Sequence, residues 1–319
     1  MRISIILVNW NGRKWLDQCF PSIINQEISE DFEVIFVDNG SLDDSVMYVR
    51  ENFPQVKVIA LDRNYGFAEG NNIGLAKAKG EYLAFINTDT RVEPSWLRNL
   101  VDAADQNPAY KILCGVQLPA MNAAIPAIGH FFGVRYSSYP KTSEDVVESN
   151  FASGACFLIR RSWLDEVSYL FDPSYFCFSE DTDLSLRTLL VGGKIGYVKK
   201  SRLWHFVGGS RYNDLWSRRI DMINSLRNIQ KLFSKENYRR ILLVRGLFAV
   251  FTFLRSPIEI RCNVGRLTGF IEFLMNRKSL LRRDRTFSAT ATIDERELLQ
   301  KIRYEGNIGK FIKRFVFKV

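Results

Sequence analysis

The residues best equipped for chemistry in this chain are a few acids and one histidine set in short polar clusters. The run AFINTDTRVEP, Ala84 to Pro94, passes from an apolar, strand-like stretch straight into Asn87-Thr88-Asp89-Thr90. A carboxylate there can be a helix cap ahead of Pro94, a turn residue, or a ligand for a hard divalent cation such as Mg²⁺ or Mn²⁺. Such ions take one or two carboxylates and complete their shell with phosphate and water. Glu180-Asp181-Thr182-Asp183 puts three acids into four residues at the head of an apolar helical pattern. The helix dipole alone accounts for acids at that place, and a positioned general base is the functional reading. His205, one of two histidines, lies in WHFVGGS, where glycines permit close backbone approach to a ligand. A lone histidine is more often structural, and His130 in GHFFG, without polar company, reads that way.

Other chemistries lack their signatures. Gly66, Gly70 and Gly74 in NYGFAEGNNIG do not follow the dinucleotide spacing, and no Walker A lysine is present. No GxSxG elbow or paired Cys/His arrangement suggests covalent catalysis.

The elements that must position these clusters alternate. ISIILVNW (3–10), FEVIFV (32–37), VKVIAL (56–61) and EYLAFI (81–86) are near-continuous apolar runs, expected for strands of a sheet covered on both faces. Between them lie helical patterns: RKWLDQCFPSIINQ; SLDDSVMYVREN, with Ser41 or Asp43 as cap; and a helix after the glycine-punctuated turn at 64–70. Repeated strand–helix units with short loops predict an α/β fold with a mostly parallel sheet flanked by helices. In such sheets ligands bind at the carboxyl ends of the strands. Each of the four strands ends in polar residues: Asn9 and Asn11; Asp38, Asn39 and Ser41; Asp62 and Asn64; Asn87 and Asp89. Further along, GACFLIR and KIGYV read as strands, with His205 in a polar loop after the second.

The chain has 319 residues, 46% hydrophobic and 25% charged, which fits a globular protein and argues against disorder. The five cysteines form no CxxC pair and several sit in apolar runs, so they read as buried thiols of a reducing compartment. MRISIILVNWNG turns polar too early for a secretory signal, and no stretch of 18 uncharged apolar residues reads as a spanning helix. The charge is uneven: residues 1–200 carry a net −6 and residues 201–319 a net +15. Nucleic acid is the first partner such a basic segment suggests, but no helix-turn-helix, zinc-finger or RNA-recognition motif supports it.

The ordered set ILVNWNG, VDNGSLDDS, NYGFAEGNN, FINTDT, SGACFLIRR, FSEDTDLSLR and WHFVGGS, over about residues 1–210, resembles family 2 inverting glycosyltransferases. The rhamnosyltransferase-like members that build bacterial cell-surface polysaccharides are most similar. The resemblance implies a GT-A fold, a catalytic domain over 1–210, a basic helical extension over 211–319, and a nucleotide-diphospho-sugar donor bound at the strand ends. Val8, Asn9, Asn11 and Asp38 would then hold nucleobase and ribose, with Asn64 and Asn71 lining the same pocket. The family's metal-binding Asp-x-Asp stands here as Asn87-Thr88-Asp89, so Asp89 would be the Mg²⁺ or Mn²⁺ ligand. Asn87 would supply only a neutral oxygen, and His205 would be the second protein ligand. Ser153 and Gly154 would lie beside the donor sugar, with Glu180 near sugar or acceptor. Asp181 would be the base, a carboxylate already ionised at neutral pH with its ordinary pKa. Asp183 would orient the loop or cap the helix. A saccharide acceptor, in such pathways usually lipid-linked, is implied.

The arginine-flanked apolar segments of the basic third suit the cytoplasmic face of an anionic membrane. A helical subdomain packed on the catalytic core, or a homodimer contact, is the plainer reading. Residues 241–254 could form one arm of a re-entrant hairpin, although Arg245 and Pro257 argue against a full span. An inactive sugar-binding scaffold of the same fold is the remaining alternative, against which the retained Asp89, Asp181 and His205 speak.

Overall fold

A computed structural model describes residues 1–118, 129–131, 134–136, 144–206, 215–255, 260–283, 286–287 and 291–301. The expected domain boundary near residue 210, the glycines after Phe206 and Pro257 lie outside the described residues.

The strands appear where the apolar runs predict them. β1 (Ile3–Asn9), β2 (Phe32–Asp38), β3 (Lys57–Ala60) and β4 (Tyr82–Ile86) form a parallel block in the order β3-β2-β1-β4. Helices α1 (Arg13–Ile24), α2 (Ser45–Asn52) and α3 (Phe67–Lys77) make the crossovers. Strand periodicity sends alternate side chains to opposite faces. Ile6, Ile35, Val37, Leu83 and Phe85 join one core, and Ile3, Ile5, Leu7, Val34, Phe36, Ala84 and Ile86 the other. The N-cap of α2 is Asp44, not Ser41 or Asp43, and it makes no side-chain cap bond; Asp43, one residue earlier, accepts from the Ser45 N–H at 3.1 Å through Oδ1.

After the short β5 (Thr90–Val92) and α4 (Trp96–Gln106), the sheet becomes mixed. β6 (Tyr110–Leu118) is followed by a two-stranded hairpin, β7 (Gly129–Phe131) with β8 (Val134–Tyr136), in which His130 pairs with Arg135. Next come β9 (Val146–Ser149), β10 (Cys156–Arg160), the single turn α5 (Trp163–Glu166), α6 (Glu180–Leu190) and β11 (Lys194–His205). β10 runs antiparallel between β4 and β6, β11 lies parallel to β6, and β5 pairs antiparallel with the end of β11. Among the described residues four helices follow: α7 (Leu215–Leu232), α8 (Lys235–Arg255), α9 (Ile260–Arg283) and α10 (Glu295–Lys301). The core on the α3–α6 face continues without a break into α7, through Met222, Ile223, Leu226 and Ile229.

Two local expectations differ from the structure. His205 is the last residue of a twelve-residue strand, not part of a loop. A register shift between Val198 and Arg202 lets β11 continue past KIGYV and pair Leu203–His205 with Val92–Thr90. Asp183 neither caps nor orients a surface loop; it is wholly buried, in ion pairs with Arg187 (2.8 Å) and Lys231 (2.8 Å). The Arg187 guanidinium also donates to the carbonyls of Val167 (2.6 Å), Tyr169 (2.7 Å) and Leu170 (2.8 Å), tying the chain before α6 to the helix. All five cysteines are free, four of them buried.

The buried pair sets a stability prediction. Arg187→Ala leaves the Asp183 carboxylate short of a cation in the core and frees three carbonyls, so the folded state should lose about 3–5 kcal/mol. Denaturant unfolding measures the loss. A shift typical of an exposed ion pair, below about 1 kcal/mol, would show that the pair carries little of the fold.

Candidate active site at one edge of the sheet

Strand direction decides which residues meet. β1, β2 and β4 run to one edge and deliver Asn9, Asp38 and Asn87 there. β10 runs the opposite way, so its amino end, preceded by Ser153-Gly154-Ala155, reaches the same edge: Cys156 pairs with Ile86 and the Asn87 N–H donates to the Ala155 carbonyl at 3.0 Å. β6 and β11 run with β1 again and bring Gln117 and His205. The sheet thus assembles polar termini from both halves of the chain.

The first cluster lies at β1 and β2. Asn9 and Asp38 are register partners, and Asn9 Nδ2 donates to Asp38 Oδ2 at 2.9 Å. Asp38 Oδ1 accepts from the Ser41 N–H at 2.9 Å. Asn9 Oδ1 is buried with no hydrogen-bond partner among the described residues. Asn11, in the left-handed region at φ 51°, accepts from the Leu42 N–H at 2.8 Å and so shapes the adjoining loop. Val8 is half-buried beside Gly70 of α3. Asn39, which the strand pattern notes only as polar, organises the next loop. Its side chain donates to Asn64 Oδ1 (3.0 Å) and the Gly66 carbonyl (2.9 Å) and accepts from the Tyr65 N–H (2.9 Å). Gly66 is at φ 91°, a conformation that favours glycine, and a Cβ there would fall 2.5 Å from the Phe176 carbonyl. Asn71 is buried on α3 and donates to the Phe67 carbonyl one turn back, with no bond into this cluster.

The second cluster pairs Asp89 with His205. Asp89 does not cap a helix: α4 begins at Trp96, and Asp89 sits where β5 meets β11. Its carbonyl accepts from the Phe206 N–H at 2.9 Å, and its Oδ1 lies 3.2 Å from His205 Nε2. The other imidazole nitrogen, Nδ1, is 3.4 Å from Gln117 Oε1, and Gln117 Nε2 donates to Ser153 Oγ at 2.8 Å. A continuous line therefore runs Asp89–His205–Gln117–Ser153. Gln117 is the member that sequence reading missed, because a glutamine ending an apolar strand carries no local signal. Asn87 is half-buried, its carbonyl accepting from Thr90 Oγ1 at 2.6 Å. Asp89 and His205 are the described residues that could share a divalent cation, as one carboxylate and one imidazole. No group of three or more His, Cys, Asp or Glu suited to a metal occurs among the described residues.

The third cluster is the head of α6. Asp181 Oδ2 accepts from the Gly154 N–H at 3.1 Å and Oδ1 from the Thr182 N–H at 2.7 Å. Ser185 Oγ, donating to the Asp181 carbonyl at 2.6 Å and accepting from the Ala152 N–H at 2.9 Å, locks the Ser153-Gly154 loop to the helix. Burial pushes the Asp181 carboxyl up to about 6, against the two N–H bonds that favour its charge, and the Asp221 carboxylate adds to the rise. An ordinary carboxylate pKa was the expectation; desolvation in the cleft between α6 and the loop makes the difference. Glu180 is buried, with Oε2 unpartnered among the described residues, and burial plus the neighbouring Asp181 charge hold its carboxyl well above the usual range.

Comparisons with known proteins agree with this architecture. The chain is 28% identical over 204 residues to the poly(ribitol-phosphate) beta-glucosyltransferase of Bacillus spizizenii, covering 61% of this chain and 30% of that one. It is 24% identical over 192 residues to the glycosyltransferase EpsJ of Bacillus subtilis, covering 58% and 55%. It is 24% identical over 230 residues to the O-antigen biosynthesis protein RfbC of Myxococcus xanthus, covering 67% and 18%. The chain thus spans little more than half the length of EpsJ and under a third of the other two. Among solved structures, S. aureus TarS 1–349 in complex with UDP-GlcNAc superposes with a TM-score of 0.60 at 18% identity, over 88% of this chain and 84% of that one. GalNAc-T7 with UDP, GalNAc and Mn²⁺ gives 0.65 at 18%, over 96% and 57%. At that identity the likeness is one of fold. Residues 4–168 fit the model of Glycosyl transferase family 2, and the chain belongs to that family, with the GT-A fold.

Proposed function

We propose that the chain is a metal-dependent inverting glycosyltransferase. It moves a sugar from a nucleotide-diphospho-sugar, dTDP-rhamnose or a UDP-hexose, to a saccharide acceptor, lipid-linked, in cell-surface polysaccharide synthesis. The observation that carries the reading is the meeting, at one sheet edge, of the Asn9–Asp38 pair, the Asp89–His205 pair and Asp181. Support for the donor class comes from the TarS and GalNAc-T7 structures, which hold UDP-GlcNAc and UDP. The names of the poly(ribitol-phosphate) beta-glucosyltransferase and the O-antigen biosynthesis protein support a role in cell-surface polymer synthesis.

The roles follow from chemistry. Asn9, with an unpartnered buried oxygen, and Asp38 offer an acceptor and a charge to nucleobase and ribose, beside Val8, Asn11, Asn64 and Asn71. Asp89 and His205, with Asn87 adjacent, would hold Mg²⁺ or Mn²⁺, whose positive charge would stabilise the departing diphosphate. Gln117 fixes the His205 ring through its second nitrogen, as outer-shell partners of ligating histidines do. Ser153 and Gly154 border the donor sugar. Asp181 takes the proton of the attacking acceptor hydroxyl, and a single displacement with inversion is what the family resemblance implies. Burial and the Asp181 charge hold the Glu180 carboxyl well above the usual range, so it ionises less readily beside that base.

The basic carboxyl-terminal helices support attachment at the inner face of the cytoplasmic membrane. No helix among the described residues is long and apolar enough to cross a bilayer. Between Ile241 and Leu254, however, every exposed residue of α8 is apolar: Leu243, Leu247, Val250, Phe253 and Leu254, the last 76% exposed. Four of them recur at 243, 247, 250 and 254, one stripe of a helix. Exposed Arg239, Arg240, Arg261, Arg277 and Lys278 lie on α8 and α9. An exposed apolar stripe on helices that also expose cations suits an anionic lipid surface.

Three outcomes test the reading. Thermal denaturation with UDP or dTDP should rise in the presence of Mn²⁺, and Asp89→Ala should lose that metal-dependent part; an unchanged increment would remove Asp89 from the metal site. For wild type, kcat/KM should fall about tenfold per pH unit below about 6 as Asp181 takes up its proton. Asp181→Asn should cut transfer by about 10²–10⁴-fold, yet raise Tm at neutral pH. The carboxyl's folded pKa lies above its unfolded value, so its favourable contribution is complete below pH ~4 and is lost as pH rises through about 6. A variant less stable than wild type at pH 7 would contradict this. In co-sedimentation, wild type should follow vesicles containing phosphatidylglycerol and ignore pure phosphatidylcholine, with binding weakened by salt. Leu247→Asp/Leu254→Asp should stay in the supernatant; equal recovery with both vesicle types would sink the membrane assignment.

A further inference from the structure

The segment leading into α6 is built against backbone preference. Phe176, Phe178 and Ser179 all occupy the left-handed region, at φ 59°, 67° and 67°. For a bulky aromatic this is a genuine outlier, which persists only where the surroundings over-determine it. Glycine or asparagine would close the same turn without strain.

One face of α7 provides the hold. Asn224 Nδ2 donates to the carbonyls of Tyr175 (3.0 Å), Cys177 (2.9 Å) and Phe178 (2.9 Å). Asn228 Nδ2 donates to the Ser179 carbonyl at 2.9 Å, and its Oδ1 accepts from the Tyr175 hydroxyl at 2.6 Å. Arg227 Nη1 donates to the Ser174 carbonyl at 3.1 Å, and Lys231 pairs with Asp172 at 3.3 Å. Positions 224, 227, 228 and 231 share a helix face. From the other side, the Ala68 N–H at the start of α3 donates to the Phe176 carbonyl at 3.1 Å. The strained turn is therefore gripped from α7 and from the loop that carries Asn64 and Gly66.

What the strain achieves is exposure of aromatic rings. Phe176 is 39% and Trp216 44% exposed, their ring centroids 6.4 Å apart and their planes at 89°. The Phe178 ring stands 6.1 Å from Trp216. Phe178 precedes Asp181 by three residues, so the corner stands on the segment that leads into the head of α6. An open aromatic corner is a liability in water unless a ligand covers it.

We infer that Phe176 and Trp216 form a stacking platform for a pyranose ring of the acceptor saccharide, which presents its hydroxyl to Asp181. A pyranose has one face of C–H groups, apolar and slightly positive, which suits the negative face of an aromatic ring. Two rings at right angles give that sugar a floor and a wall, fixing both its plane and its rotation, as oriented attack requires. The inference rests on the transferase reading above and adds to it a binding site outside the donor pocket.

The test uses the full chain and three variants, Trp216→Ala, Phe176→Ala and Trp216→Phe, on a printed array of bacterial surface oligosaccharides, with calorimetric titration of UDP and dTDP in Mn²⁺ alongside. Wild type should bind at least one saccharide, both alanine variants about tenfold more weakly, and Trp216→Phe should recover most of the loss. Affinity for the nucleoside diphosphate should be unchanged in all three. Saccharide binding that survives both alanine variants overturns the platform. So does a wild type that binds nucleotide but no saccharide, or a parallel loss of nucleotide affinity, which would assign the rings to the donor. A wild type that binds neither nucleotide nor saccharide defeats the transferase reading itself, and the platform with it.

Discussion

β10 runs antiparallel between β4 and β6, and this one reversal sets what the sheet edge can do. A fully parallel continuation would have carried Ser153 and Gly154 to the far edge, a strand's length from Asn87. With β10 reversed, the polar residues before it meet the polar residues after β4, and the backbone bond from Asn87 to Ala155 fixes their spacing. β6 and β11 then return to the original direction and add Gln117 and His205. The pairing of β5 with β11 closes the arrangement by holding Asp89 against His205. Each of these contacts is enforced by ladder hydrogen bonds in a sheet buried on both faces. The polar edge is thus positioned by the apolar core, not by flexible loops.

α6 shows how one helix separates two carboxylates that are two residues apart. Asp181 and Asp183 point about 200° apart around the helix axis. Asp183 turns into the core, where it pairs with Arg187 and Lys231. Asp181 turns to the sheet edge, where two backbone N–H groups and the Thr182 hydroxyl meet it and burial lifts its pKa to about 6. Identical side chains acquire different surroundings: one is the centre of buried ion pairs, the other a carboxyl lifted by burial to about 6. The helix dipole at the amino end favours both negative charges and keeps Asp181 from rising further.

Much of this was legible in the sequence because strands and acids leave local marks. The four apolar runs became β1 to β4 within a residue or two at most ends, and their polar ends converge as the strand-end rule requires. The acid cluster opens a helix, and Asp89 and His205 face each other. What was not legible depends on contacts between distant segments. KIGYV looks like a complete strand because the register shift after Val198 interrupts its pattern, so His205 reads as loop. Gln117 and Asn39 became organising residues only through partners dozens of residues away. Asn224, Asn228 and Lys231 carry no local mark within a basic helical segment, yet they are turned inward on the strained turn ahead of α6.

That inward face gives α7 a place in the argument that its charge alone would hide. Its polar side grips the segment carrying Phe176 and leading to Asp181, while its apolar residues continue the sheet's core. Its opposite flank lies against α9 at very short range: a Cβ on Gly265 would fall 2.4 Å from the Leu215 carbonyl, and one on Gly269 2.5 Å from that of Arg219. Backbones packed so closely transmit position with little slack. α8, with its exposed apolar stripe, packs in turn on α9, the Phe270 ring filling the space beside Gly246. On the proposed reading the stripe of α8 docks on lipid and Asp181 is the base. The packed series α8–α9–α7–α6 would then link the two, so docking of the stripe would set the height of Asp181 above the surface.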